Sequence, residues 1–372
     1  MKKYISIIIL VLLSSCFSFK KTVDWKNKLR FRSFWCWVPH WMKEQIRADL
    51  EVLDQNKLCP NQLDQVILEC QKMNGDYFLV RYRIQNNNLE SNYFSRQNKN
   101  SRSLIFEKCL KELLTIAKIP DVDFILSLGD SADGANLSAP IFAFAKNSLL
   151  HEAVILIPDF EALDGNMGLM EEVKKGSKKY PWEKKLSKSF WRGSMTGSEF
   201  TVENFLTISR SQAVALSIKQ PDLVDAKFSA VTQCANPEQI LKLFNNYFSD
   251  PLPVREHLQY KYQILIDGNS CAYSRAYWQM FSNSLIFKQD SPHIQWYYRA
   301  LIPYVHYILV RSDFSDLLEK IKWAQSHDKE AKRISRNAQK FASKNLQKSE
   351  VHFYLYLLLK EYAKKQNLNK KG

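Results

Sequence analysis

Four short apolar runs, each stopped abruptly by a small or charged turn, narrow the folds open to this chain. Asp123–Leu128 (DFILSL) ends in Gly129-Asp130, and Ala153–Ile157 (AVILI) ends in Pro158-Asp159. Ser189–Trp191 runs into Arg192-Gly193-Ser194, and Lys261–Ile266 (KYQILI) ends in Asp267-Gly268. Runs this short and this continuous lack the polar alternation of a strand with one wet face. They fit strands covered on both sides, the mark of parallel α/β layering. Apolar residues spaced three and four apart predict helices between and after them, over 42–53, 61–72, 103–117, 201–217, 237–247, 273–281, 315–326, 329–345 and 349–365. Tyr77–Ile84 (YFLVRYRI), with basic residues interleaved, reads as a half-exposed strand; Ala226–Ser229, Ser284–Phe287 and His306–Val310 read as further strands. The expected architecture is α/β, with two Rossmann-like domains facing across a cleft at the carboxyl ends of their strands and helices closing the chain. The expected divisions are a leader over 1–20, domains over 21–170 and 171–345, and a helix with a basic tail over 346–372 that packs back on the body. Lysine-rich 171–189 is the candidate boundary.

Glycine argues against two common nucleotide sites. Only 10 of 372 residues are glycine, against a usual share of roughly 7%, and neither GxGxxG nor a Walker loop occurs. The formal charge of +15 is concentrated rather than spread. From Glu319 to Gly372 there are 14 Lys or Arg against 5 Asp or Glu, and Lys174–Lys188 holds seven lysines and one glutamate. Lysine is a flexible point charge, suited to an anionic membrane surface, an acidic glycan or plain solvation, and poor at reading base edges. With no zinc-finger, RNP or helix-turn-helix pattern, nucleic acid is not an expected partner.

The first 20 residues are a separate object. Lys2 and Lys3 precede the apolar run Ile5–Leu13, and Leu13-Ser14-Ser15-Cys16 follows. This reads as a secretory signal, a lipoprotein processing box or a short anchor, so the expected location is exported or membrane-associated. Apart from Cys16 there are six cysteines and no CxxC pair, which permits disulfides without requiring them. Seven histidines and no HExxH leave no expected metal site.

The candidate site residues stand at strand ends. Phe190–Gly197 (FWRGSMTG) offers Arg192, Gly193 and Ser194 as a cradle for phosphate oxygens. Tyr260–Arg275 (YKYQILIDGNSCAYSR) offers Asp267 and Gly268 at the strand end, then Ser274 and Arg275 opening a helix. Two arginine-bearing turns suggest a diphosphate site, where arginine would stabilise charge growing on a leaving group. In the first half Asp130 closes its strand, with Asp133 and Asp159 as further carboxylates for an acceptor or secondary site. One such carboxylate can take a proton from a hydroxyl nucleophile; a pair could equally serve a glycosidase. His306 reads as structural.

These stretches, with IPDVDFILSLGD (119–130), FAFAK (142–146), LVDAKFS (223–229), SLIFKQ (284–289) and WYYRALIPYVHYILV (296–310), resemble glycosyltransferase family 90 over residues 70 to 350, with the motifs in family order. That family comprises capsule-associated proteins, protein O-glucosyltransferases and bacterial lipopolysaccharide transferases. The resemblance implies a GT-B-like fold and a metal-independent, inverting transfer of a hexose from a UDP-sugar to a hydroxyl of a glycan, lipopolysaccharide or protein. It implies no cofactor, and the protein is expected to be a monomer. It places the general base on Asp130, the diphosphate arginines on Arg192 (with Gly193 and Ser194) and Arg275 (with Ser274), and a nucleotide-pocket phenylalanine on Phe287. Two departures stand out. Protein-glucosylating members show an RDxP string where this chain has Gly129-Asp130-Ser131-Ala132, and the family SFR becomes Tyr273-Ser274-Arg275. A catalytically silent glycan-binding protein of the same fold is the alternative.

Overall fold

The computed structural model describes residues 38–54, 58–72, 78–94, 100–130, 137–150 and 153–366. The leader and Asp133 lie outside the described residues.

The chain opens with helices α1 (His40–Leu50) and α2 (Pro60–Lys72), then strands β1 (Leu79–Gln85) and β2 (Asn88–Tyr93). Helix α3 (Ser101–Ile116) follows, its start fixed by a capping box in which the Asn100 side chain accepts from the Ser103 amide. Strands β3 (Val122–Ser127), β4 (Ile141–Ala143) and β5 (Val154–Leu156) complete a five-stranded sheet of order β2-β1-β3-β4-β5. β3, β4 and β5 are parallel, whereas β1 and β2 form an antiparallel hairpin on the β3 edge. The hairpin turns at Asn86 and Asn87, with φ of 50° and 65°, the left-handed pair that a two-residue hairpin turn favours.

β1 is not the half-exposed strand its interleaved arginines suggest. It lies between β2 and β3, and Arg81 is buried in a two-point ion pair with Asp123, Nε to Oδ1 at 2.8 Å and Nη2 to Oδ2 at 2.8 Å. Arg83 adds two more contacts to the same carboxylate, Nη2 at 2.9 Å and Nε at 3.2 Å from Oδ2. A buried charge is tolerable only when paired this fully.

After the short α4 (Phe160–Asp164) comes α5 (Met167–Lys179). The segment expected to link two domains is therefore mostly this helix, a turn and the start of the next strand, and α5 packs against the second half. Next come β6 (Leu186–Ser194), α6 (Ser209–Lys219), β7 (Val224–Ala230), α7 (Pro237–Leu243), β8 (Tyr260–Leu265), α8 (Arg275–Phe281), β9 (Leu285–Gln289) and β10 (Ile308–Val310). These strands form a wholly parallel sheet of order β10-β9-β8-β6-β7. Numbered along the chain that order is 2-1-3-4-5, so the crossover direction reverses between β6 and β8. A crevice opens there at the carboxyl ends of the strands.

Helices α9 (Leu317–Ser326), α10 (Asp328–Asn345) and α11 (Lys348–Lys364) close the described chain. α11 returns to the first sheet, packing on β3, and Tyr362 and Phe142 meet edge to face with centroids 4.8 Å apart. One apolar core joins the first sheet, α11 and one face of the second sheet; another fills that sheet's opposite face with α6, α9 and α10. The result is the GT-B-like arrangement of two α/β layers about a cleft, with a mixed rather than fully parallel first sheet. Among the described residues no helix is long and apolar enough to cross a membrane.

Candidate active site

A cavity of about 470 Å³ lies at the β6/β8 reversal, with Asp130 from the first half on its rim and the second half forming most of its wall. Leu169, Leu252, Val254 and Trp278 give it an apolar end; Arg192, Ser194, Arg210, Ser274 and Arg275 give it a cationic, hydroxyl-rich one.

β6 continues through Arg192, Gly193 and Ser194, so these residues end the strand rather than forming a turn after it. A Cβ on Gly193 would sit 2.5 Å from the Trp191 ring, which is why that position takes glycine. The Arg192 guanidinium is committed locally: Nη2 lies 2.7 Å from Asp225 Oδ1 and Nη1 donates to the carbonyls of Trp191 and Asp225.

Arg210, on the first turn of α6, was not singled out in the sequence, yet it joins the two arginine-bearing segments. Its Nη1 donates to the Ser194 carbonyl at 2.6 Å and its Nε to the Asp267 carbonyl at 2.9 Å. Gly268 makes room for it, since a Cβ there would stand 2.7 Å from Arg210 Nη2. The sequence held one signal: a cation on a helix's first turn opposes the helix dipole, so it needs another reason to be there. Arg275 donates to the Arg192 carbonyl and leans over the Trp191 ring at 5.8 Å.

Among the described residues neither Arg210 nor Arg275 has a carboxylate within ion-pair distance. Burial pushes Arg210 down to about 10, against the pull of Asp267. Burial and then the charge of Arg210 push Arg275 down to about 9. Two guanidiniums on one cavity wall, the charge of Arg210 disfavouring that of Arg275, make a site that an anion would relieve. Ser274, between them and the opposite half, holds φ at +47°, a left-handed strain of about 1–3 kcal/mol for a non-glycine residue.

Asp130 faces this wall. Arg102 Nη2 donates to its Oδ1 at 2.6 Å and Asn269 Nδ2 to its Oδ2 at 3.0 Å. Its carbonyl accepts from Ser270 Oγ at 2.6 Å and from the Tyr273 hydroxyl. Burial works against the charged carboxylate, but the bonds from Asn269 and Arg102 prevail and hold it below the ordinary carboxylate range. His257, also on the wall, is pushed down to about 3 by burial and Arg275, so it is neutral at any working pH.

A sequence model of Glycosyl transferase family 90 matches residues 41–371. The chain belongs to that family. Protein O-glucosyltransferase 2 of Danio rerio is similar at 29% identity over 333 residues, covering 87% of this chain and 62% of its own length. Protein O-glucosyltransferase 3 of Homo sapiens is 29% identical over 322 residues, covering 82% of this chain and 59% of its own. The chain thus spans about six-tenths of the length of these relatives. Among solved structures, Anabaena HepE in complex with UDP and glucose overlaps 58% of this chain and 61% of its own at 11% identity, with a TM-score of 0.39. A likeness of that strength bears on neither fold nor ligand.

Of the candidate residues expected from the sequence, the structure brings Asp130, Arg192, Gly193, Ser194, Gly268, Ser274 and Arg275 to one cavity. Three expected residues lie elsewhere. Phe287 is fully buried on β9 against Tyr262, because strand alternation turns it to the sheet face away from the first half. The Asp267 carboxylate turns inward, accepting from the Ala272 amide at 3.2 Å; only its carbonyl serves the site, through Arg210. Asp159 is 1% exposed and caps α4, one oxygen accepting from the Glu161 and Ala162 amides. It cannot pair with Asp130 as a glycosidase acid and base. Among the described residues no three His, Cys, Asp or Glu side chains converge as a metal site, and Cys109, Cys234 and Cys271 are free thiols.

Asp159 carries a pH prediction. Burial pushes it up to about 6, against its amide bonds, and burial with the Asp159 charge pushes Glu161 up to about 7. For a carboxyl raised above its unfolded value, the stability contributed by the protonated form is full below about pH 4 and is lost as pH rises through the folded value. The melting temperature should therefore fall between pH 5 and pH 8. Asparagine caps a helix as well as aspartate does and does not ionise, so Asp159→Asn should flatten this fall. It should gain about 3 kcal/mol at pH 8. A variant that melts below the natural protein at pH 8 would contradict this account.

Proposed function

We propose that this protein is an inverting glycosyltransferase that moves a hexose from a UDP-sugar to a hydroxyl of a glycan, lipopolysaccharide or protein acceptor. The observation that carries the reading is one cavity with a carboxylate on the first-half rim and two unpaired guanidiniums opposite. Asp130 would take the acceptor proton as the hydroxyl attacks the anomeric carbon in line with the departing diphosphate. Arg210 and Arg275, with Arg192 beside them, would hold that diphosphate without a metal ion, stabilising charge that is greatest in the transition state. The apolar end would receive the nucleoside. Domain closure over the cleft would limit hydrolysis of the donor.

The test is a binding titration of the purified protein with UDP in the presence of a chelator, with GDP and ADP as controls. Binding selective for UDP, followed by turnover of a UDP-hexose with chelator still present, is the expected result. No UDP binding by folded protein would overturn the reading. One observation favours the silent glycan-binding alternative: both Asp130 oxygens are already engaged, which weakens it as a base. UDP binding with no turnover of any UDP-hexose would support that alternative.

A further inference from the structure

The Asp130 carboxylate is held from both halves of the molecule, and the first-half partner, Arg102, does not itself line the cavity. Arg102 stands on the first turn of α3, 28 residues before Asp130. Its own orientation is fixed three ways: Nη2 to Asp130 Oδ1 at 2.6 Å, Nη1 to the Leu128 carbonyl at 2.7 Å, and the guanidinium over the Phe160 ring at 4.6 Å. One planar fork therefore grips both the end of β3 and the carboxylate that follows it, which a lysine could not do. On the other side, Asn269 is itself fixed: its Oδ1 accepts from the Gly197 amide at 3.0 Å while its Nδ2 donates to Asp130. Gly197 belongs to the turn after β6, so the amide connects the phosphate-facing segment to the carboxylate. Its φ of +104°, with the Gly268 carbonyl 3.0 Å from where a Cβ would stand, admits only glycine comfortably.

We infer that Arg102 is a positioning residue of the transfer reaction, one jaw of a two-sided clamp whose other jaw is Asn269, and that it fixes the aim and the ionisation of Asp130. The inference rests on the reading of Asp130 as the base. Each carboxylate oxygen has two lone-pair sites, so a clamped Asp130 still has room to accept the acceptor hydroxyl proton, and only in directions that the clamp leaves open. The charged and titratable groups facing Asp130 are Arg102 from α3 and Tyr273 from the segment after β8, and the Arg102 charge also acts on Glu161 of α4. Of these, Arg102 is the one carrying a full positive charge against the carboxylate. Because Arg102 comes from outside the string that follows β3, the clamp also answers a departure in sequence: the chain has glycine at 129, and a guanidinium arrives from α3.

The test measures kcat and KM for the UDP-sugar against pH in the natural protein, Arg102→Gln, Arg102→Lys and Asp130→Asn, with melting temperatures as a check on folding. Arg102→Gln should lower kcat ~10–100-fold, as expected for a misaimed group, and leave the donor KM within about twofold. It should also move the acid limb of kcat upward by about one pH unit or more, as expected when a carboxylate loses an adjacent arginine. Arg102→Lys should keep the limb near its natural position and recover part of the rate. An unmoved limb in folded Arg102→Gln would overturn the inference, because a merely structural arginine would lower rate or stability without shifting that limb. Should Arg102→Gln not fold, Arg102→Lys decides: natural kcat with a natural limb overturns the inference, and reduced kcat with a natural limb supports it. Transfer retained by Asp130→Asn would instead remove the base reading itself, so the two failures are distinguishable.

Discussion

Asp130→Asn is expected to lower transfer by ~10³-fold, the middle of the range for removing a positioned general base, while UDP affinity stays within about twofold. Geometry separates the two effects. Asp130 stands on the first-half rim, and the guanidiniums that would meet a diphosphate belong to the second half. The substitution has one structural consequence. Asn269 Nδ2 now donates to Oδ2 and its Oδ1 is held by the Gly197 amide, so an asparagine amide at 130 would meet either that donor or Arg102. One unsatisfied contact costs about 1–3 kcal/mol, to be read as a lower melting temperature. The natural protein's pH behaviour follows from the depressed Asp130 value: the base is ionised above it, so activity should persist below the ordinary carboxylate range before Asp130 protonates. Transfer by folded Asp130→Asn at more than about a tenth of the natural rate would remove Asp130 from the base role. Equal loss of transfer and UDP binding would mean that Asp130 serves the donor instead.

Continuous apolar runs explain why so much of the fold was readable. β3 and β8 are buried along their whole length, and nothing but a strand covered on both faces needs that composition. β2 escaped notice because NLESNY carries almost no apolar signal and is held by pairing with β1, a long-range property no local window reports. Arg81 and Arg83 misled for the opposite reason. Their charges suggested a wet face, whereas the buried Asp123 that neutralises them lies about forty residues away. The site divides along the same line. Arg192, Arg275 and Asp130 announce themselves at strand ends, but which arginine is already neutralised depends on Asp225 on the neighbouring strand. The Phe287 expectation failed on a parity that the pleat alone decides: Ile286 faces the first half and Phe287 faces away. Arg102 becomes a site residue only when α3 packs beside the end of β3, 28 residues away, and Asn269 only when the two halves of the chain meet, 139 residues from Asp130.

The pairing of charges decides how three arginine variants should rank. Arg210→Ala and Arg275→Ala should each weaken UDP binding by ~2–4 kcal/mol, about 30- to 800-fold, the scale for removing one oriented donor from a preorganised anion site. Arg192→Ala should weaken it less, because part of that charge is already spent on Asp225 at 2.7 Å. Stability should rank differently. Burying an unpaired cation is unfavourable, so without ligand Arg275→Ala should melt close to the natural protein. Arg192→Ala should melt lower, since it takes the cation from the Asp225 carboxylate and leaves it only the Tyr260 hydroxyl. Arg210→Ala should also melt lower, since it strips a donor from the carbonyls of Ser194 and Asp267. Saturating UDP reverses the comparison for Arg275. A ligand at 100 times its dissociation constant stabilises by about 2.7 kcal/mol, a gain the natural protein should show and Arg275→Ala should largely lack at the same UDP concentration. The effects of Arg210 and Arg275 should not add, because the Arg210 charge depresses that of Arg275 and one anion would relieve both. Calorimetric titration with UDP, alongside melting curves with and without it, reads every one of these differences. UDP affinity unchanged in both Arg210→Ala and Arg275→Ala would move the anion away from this wall. Loss confined to Arg192→Ala would mean that the ligand displaces Asp225 and takes the paired guanidinium for itself.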